Sequence, residues 1–307
     1  MTKAQVKGKT GSDEQKAFKD GVLLYVDMQM WGATAKIDKR TLLKLGLSEE
    51  DLEVMSAVRD LLTPEGKSLL GDYRTVRNEV KGHIYRNSIP FPIDGFVFIP
   101  KHKVAEIDDF LKKKKDQADT IRDQLIEKIA DLEQEYAKQY PQFYDPAKYP
   151  SKAQLKGRFQ FRWSFRMFSP PDQELQLLPP EIYKEEVNRF KEDMEKTKQM
   201  TLNLFVNSLV ERANTLFQQC ESDSAKTATI ESTMRLMDRF DDLFSGFIEE
   251  KKVRKAVDDV KLYLEGVDQS MLNIDNEFRA IVGDKMRDIV NTVKTVPGVT
   301  LKRGLEL

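Results

Sequence analysis

Residues 104–139 carry the pattern that most restricts what this chain can fold into. Ile121, Leu125, Ile129, Leu132 and Tyr136 recur at spacings of four, four, three and four on an otherwise charged segment. That periodicity predicts one narrow apolar seam along a helix from about Val104 to Gln139, roughly 50 Å long at about 1.5 Å per residue. A seam this narrow buries little alone, so the helix requires a partner helix from the same chain or from another copy. The composition agrees, because 33% charged residues beside 40% hydrophobic ones suits long rods that expose much polar surface.

A second long helix is predicted over about Glu181–Glu221, after Pro179-Pro180. Val187, Phe190, Met194, Thr197, Thr201 and Leu204 make its seam, and Leu202, Phe205, Leu209, Ala213 and Leu216 widen it. Helical segments at about 226–249, 252–266 and 276–294 follow, the last closed by Pro297-Gly298. Strand signals are fewer. "GVLLYVDMQMW" alternates over 21–31 and "RFQFRWSFRMF" alternates within 157–168. Asp94-Gly95 marks a turn before a strand ending near residue 100, while Pro90 and Pro92 exclude a central strand just upstream. Ser48 with Asp51, and Thr63 before Pro64, read as helix starts; "YPQFYDPAKYPSK" reads as an irregular connector.

The expected fold is therefore α+β and helix-dominated: a small antiparallel sheet with long helices forming a bundle or coiled-coil-like hairpin. The expected divisions are a disordered tail at 1–18, an α+β region at 19–175, a helical bundle at 176–296 and a loose tail at 297–307.

Several chemistries are disfavoured. The single cysteine, Cys220, excludes an internal disulfide and any multi-cysteine metal site. It sits near the C-terminal, negative end of a helix, which does not activate a thiol. His83 and His102 are the only histidines, and neither has a nucleophile in its sequence context. Gly8-Lys9-Thr10 lacks the upstream glycine and strand of a phosphate loop. Asp238 and Asp242, four apart, share one predicted helix face that would suit magnesium, with Asp241 projecting elsewhere; a solvated acidic face opposite Met234, Met237, Phe240 and Phe244 is the better reading. Asp108-Asp109 lies near a helix N-terminus, where carboxylates stabilise the dipole. No catalytic residue, metal or cofactor is expected. The N-terminus lacks a secretory signal and no apolar run approaches a membrane span, so the expected setting is the cytoplasm, away from membranes.

Basic surface remains. Fifty lysines and arginines nearly cancel 51 acidic residues, so any polyanion site has to be local. Two candidates exist: Lys112, Lys113, Lys114 and Lys115, and the alternating segment at 158–167. Period two puts Phe159, Phe161, Trp163, Phe165 and Met167 on one face, read as core, and Arg158, Arg162 and Arg166 on the other. Nucleic-acid-binding sheets place aromatics and cations together, whereas here they are segregated.

The segment order resembles a bacterial and phage family of unknown function, catalogued as domain thirty-one fifty. The resemblance rests on the N-terminal strand, "YRNSIPFPIDGFVFIP" leading into a charged helix, "RFQFRWSFRMF" and a helical C-terminal half, over about residues 20–295. It implies a non-catalytic adaptor or scaffold of a phage or mobile-element system. The implied partner is a MoxR-type AAA+ ATPase, found beside von Willebrand factor A proteins, or a second copy of the chain. It transfers no site residues. The alternative expectation is a DNA- or RNA-binding protein using the arginine and lysine surface.

Overall fold

A computed structural model describes residues 21–44, 46, 48, 58–168, 179–222, 227–248, 250–265, 267, 272 and 275–301. The expected N-terminal tail with its Gly8-Lys9-Thr10 stretch, Asp51 of the capping box, Pro170-Pro171 and the last six residues of the expected C-terminal tail lie outside these. The molecule is helix-dominated α+β, and no helix of the described residues is long and apolar enough to cross a membrane. The described residues form two compact units, one drawn from 21–25, 86–104 and 165–301, the other from 26–85 and 105–164.

Strands β1 (Gly21–Gln29), β4 (Ile89–Pro90), β5 (Phe96–Pro100) and β6 (Gln160–Met167) form one sheet in the order β4-β5-β1-β6. β5 runs antiparallel to both β1 and β4, with Gly21 opposite Pro100. Pro90 sits at the sheet margin, where its missing N–H costs no ladder bond. Gly95 takes the turn before β5 with φ of 82°, a left-handed conformation that glycine adopts without strain. A separate antiparallel pair, β2 (Thr34–Lys36) with β3 (Val58–Asp60), had no sequence signal strong enough to expect.

In the first unit, helices α5 (Pro180–Glu221), α6 (Thr227–Arg239), α7 (Lys251–Leu264) and α8 (Asn276–Lys294) build a bundle. Proline at the first position suits α5, whose leading N–H groups have no helical partner. Its full burial begins only at Met194, then continues through Thr197, Thr201, Leu202, Phe205 and on to Cys220. Val187, Phe190 and Leu204 of the expected seam are half-buried. Asp275 caps α8, its carboxylate accepting the Phe278 N–H at 2.9 Å. α8 runs antiparallel to α5, since Gly283 lies against Phe217 and Cys220 while Gly298 reaches Gln199. Phe205, Phe240 and Phe244 meet at the centre, with ring centroids 4.8 and 5.8 Å apart from Phe205.

In the second unit, α1 (Lys39–Lys44) precedes α2 (Pro64–Arg86), which pairs with α3 (Val104–Gln139). Lys128 reaches Glu65 at 2.8 Å, Thr63 reaches Glu135 at 3.3 Å and Lys114 reaches Glu79 at 2.5 Å. Rising positions on one helix meet falling positions on the other, which defines an antiparallel pair. Leu70, Tyr73, Val76 and Val80 of α2 are buried along with Leu111, Ala118, Leu125, Ile129, Leu132 and Tyr136 of α3. The partner that the narrow seam requires is thus supplied within the chain. Gly66 lets the helices approach, because a Cβ there would come within 3.1 Å of Leu132.

The expected irregular connector contains two 3₁₀ turns and leads into α4 (Lys152–Gly157) at its last residue. Ser151 and Gln154 cap α4 reciprocally, each side chain accepting the other's backbone N–H. Tyr136, Tyr140, Tyr144 and Tyr149 pack together here, and burial pushes the Tyr149 hydroxyl pKa up.

Candidate functional site

Phe159 and Phe161 are buried, as the core reading expects, whereas Trp163 and Phe165 are only half-buried. Met167 departs from it, being 88% exposed. Period two assigns a side chain to a face but says nothing of what covers that face at the strand's end. Trp163 donates its Nε1–H to Asp108 at 2.9 Å, and the hydrogen bonds from Lys112 and Trp163 hold the Asp108 carboxyl below its ordinary pKa. This pair ties β6 to the first turns of α3.

Among the described residues β6 is an edge strand. Arg158, Arg162 and Arg166 are all exposed; Arg158 and Arg162 belong to the second unit and Arg166 to the first. Arg162 meets Asp27 of β1 at 2.9 Å, the arginine side chain 68% exposed and the aspartate 12%. An acidic residue of the neighbouring strand therefore answers one arginine. Most of the lysine run is answered too. Lys112 pairs with Asp108 at 2.6 Å, Lys114 with Glu79, and Lys115 with Asp119 at 2.7 Å, while Lys113 is exposed. Lys114 also lies over Phe110, which stacks on the ring of His83 at 3.8 Å.

Asp238, Asp241 and Asp242 are exposed opposite buried Met237, Phe240 and Phe244, as the solvated-face reading expects, with Met234 half-buried. Residues Phe240–Phe244 form a π-helical turn, in which the Ser245 N–H bonds the Phe240 carbonyl at 2.8 Å. The extra residue in that turn shifts the register of whatever follows it. Asp238 and Asp242 take different basic partners. Lys261 contacts Asp241 and lies 3.9 Å from Asp238, while Asp242 accepts from His102 and Lys103, each at 2.9 Å. Partial burial alone would raise the Asp242 pKa, but the hydrogen bonds from Lys103 and His102 outweigh it and hold the carboxyl below the ordinary range.

A group with a depressed folded pKa contributes stability that is present above its unfolded pKa and lost as the pH falls through the folded one. Asp242→Asn is therefore expected to cost stability at neutral pH, by under about 1 kcal/mol for so exposed a pair. The cost should shrink as the pH falls below about 4. Urea denaturation of both forms across that range checks it; a pH-independent difference would contradict the ion-pair assignment.

One set of residues escaped the sequence reading. Gln199, Asn203 and Asn207 stand four apart on α5 and contact the backbone of residues 298–300. Polar amides at i, i+4 and i+8 in a helix with apolar neighbours were the available signal. Their partner, 97 residues away from Asn203, was not.

Fold and surface together define a helix-rich α+β protein with an antiparallel helix pair, a helical bundle and a basic sheet edge. The chain belongs to the family described as "Protein of unknown function (DUF3150)", whose model matches residues 19–283. Comparison with curated proteins finds no match, and comparison with solved structures finds none either.

Proposed function

We propose that this chain is a non-catalytic interaction protein, an adaptor or scaffold of a phage or mobile-element system that works with a MoxR-type AAA+ ATPase or by self-assembly. The observation that carries the reading is the edge position of β6. Its segment Gln160–Ser164, flanked by Arg158 and containing Arg162, offers a basic margin for an acidic extended segment. Unpaired strand margins recognise partners through main-chain hydrogen bonds, with side chains adding selectivity. The ion-paired states of Asp238, Asp241 and Asp242 fit structural roles, and family membership is consistent with the implied partner.

Co-expression with such an ATPase, followed by affinity capture and sedimentation, tests the proposal. The ATPase should co-purify, or the chain should self-associate with concentration, and Arg162→Glu should weaken the association. A monomer that retains no ATPase at micromolar concentration overturns it. Nucleic-acid binding is the second reading, favoured by the exposure of Arg158 and Arg162. It predicts affinity falling steeply with salt and lost in the Arg158→Ala, Arg162→Ala variant. The pairing of Lys112, Lys114 and Lys115 with carboxylates weakens that reading.

A further inference from the structure

After α8 the chain turns back at Pro297 and Gly298 and runs alongside α5 in the same direction as that helix. Gln199 donates its amide N–H to the Gly298 carbonyl. Asn203 Oδ1 accepts the Thr300 N–H at 2.8 Å, and Asn207 Nδ2 donates to the Thr300 carbonyl at 2.9 Å. Asn207 also donates to the Asn203 carbonyl of its own helix at 2.8 Å, which fixes its orientation. Every one of these contacts reads main chain.

The spacing has a physical basis. One step of four residues along a helix advances about 6.0 Å. Two residues of extended chain advance about 6.7 Å. Amides at 199 and 203 therefore fall in register with alternate residues, 298 and 300, of an extended segment. Side chains of the intervening residues, Val299 and Leu301, turn inward and pack on the bundle core. Gly298 is required at the entry. Its φ is 77°, and a Cβ there would lie 2.9 Å from Gln199 Oε1.

We infer that the Gln199, Asn203 and Asn207 face of α5 is a binding site for an extended peptide, filled in this chain by its own residues Gly298–Leu301. The occupant it fits in trans is a partner segment of the same chemistry: a glycine, then apolar residues two apart, with its backbone open between them. The strap is lightly held. Gly298 and Thr300 are exposed, Val299 and Leu301 only half-buried, and the segment has no regular secondary structure. Few buried contacts and exposed hydrogen bonds characterise the parts of a protein that open first. At the Gln199 end the site continues into an open cavity of about 530 Å³, bordered by Gln199, Leu202, Phe247 and Pro297 with Lys198 and Lys251 at its rim. The inference rests on the interaction-protein reading only for the existence of a partner, and its test reads peptide binding directly.

The test titrates a fluorescently labelled peptide, VPGVTLKRGLEL from residues 296–307, into the full chain and follows anisotropy. Thr300→Pro removes the N–H that Asn203 accepts, which vacates the site. The vacated chain should bind the peptide at least about tenfold more tightly than the native chain, whose strap competes with millimolar effective concentration. Asn203→Ala added to that variant should abolish the gain. Equal binding by the native and Thr300→Pro chains overturns the inference, as does a gain that survives Asn203→Ala. Hydrogen exchange on the native chain is the second readout, independent of any variant. The Thr300 amide should exchange at least about tenfold faster than that of Val210 in the bundle core. Equal protection would make the strap a fixed part of the bundle and overturn the inference.

Discussion

Phe205→Ala is expected to lower the stability of the bundle by about 3–5 kcal/mol, the usual cost of removing a buried phenylalanine and leaving a cavity. Phe205 has no exposed surface, and its ring touches those of Phe240 and Phe244, which the π-helical turn holds in the core. Both surrounding rings are held by the same π-helical turn, whose backbone would have to shift for them to collapse fully into the space. Against a typical total of about 5–15 kcal/mol, the loss would be a large fraction of the whole. The chain carries its own probe. Cys220 is its single cysteine, 5% exposed and in the same unit. Burial pushes the thiol pKa up, although Arg279 pulls the other way, so a thiol reagent at neutral pH should react only when the bundle opens. The urea midpoint for Cys220 modification should fall clearly in Phe205→Ala and less in Phe205→Leu. A change below about 1 kcal/mol would mean that the three-ring cluster is not the centre of this core.

How far the sequence foretold the fold depends on the range of the interactions involved. The helix over 104–139 appears with its expected limits because its seam, its charges and its flanking prolines are all local signals. The turn at Asp94-Gly95, the strand after it and the last helix at 276–294 were legible for the same reason. Pairings between distant residues were not. Nothing in "SLLGDYRTVRNEV" announces that it is the helix answering the 121–136 seam; Glu65 with Lys128 and Glu79 with Lys114 meet only once both helices exist. The interleaving of the two units has no signature in a linear pattern. The acidic cluster shows a subtler limit. Spacing within a helix says nothing of which basic residues approach it: His102 and Lys103 meet Asp242, while Lys261 meets Asp241. The arginine strand was read correctly for Phe159 and Phe161, while its ion pair to Asp27 depends on which strand lies beside it.

Gly21→Ala should be the most disruptive single-methyl change in the sheet. An added Cβ would sit 2.2 Å from the Phe98 ring and 2.6 Å from the Ile99 carbonyl oxygen. Neither neighbour can yield easily. The Ile99 oxygen is main chain within the β1–β5 ladder, and Phe98 is fully buried with its ring edge-on to Phe247 at 5.4 Å. Something must shift, and overpacking of this kind costs about 1–3 kcal/mol, with the upper end expected where backbone is involved. Gly71 supplies the opposite case. It lies within α2, and an added Cβ would meet nothing within 4 Å beyond its own stretch of helix backbone, so Gly71→Ala should stabilise by about 0.5–1 kcal/mol through helix propensity alone. The same chemical change thus carries opposite signs at two positions, which urea denaturation followed by circular dichroism can read. Phe98→Leu offers a third arm. By itself it removes buried ring area and should destabilise; combined with Gly21→Ala it frees the space that the new methyl needs. The double variant should therefore be more stable than the sum of the single effects by about 0.5–3 kcal/mol, the range for residues in direct contact. Strict additivity would place the strain on the Ile99 carbonyl instead of the ring.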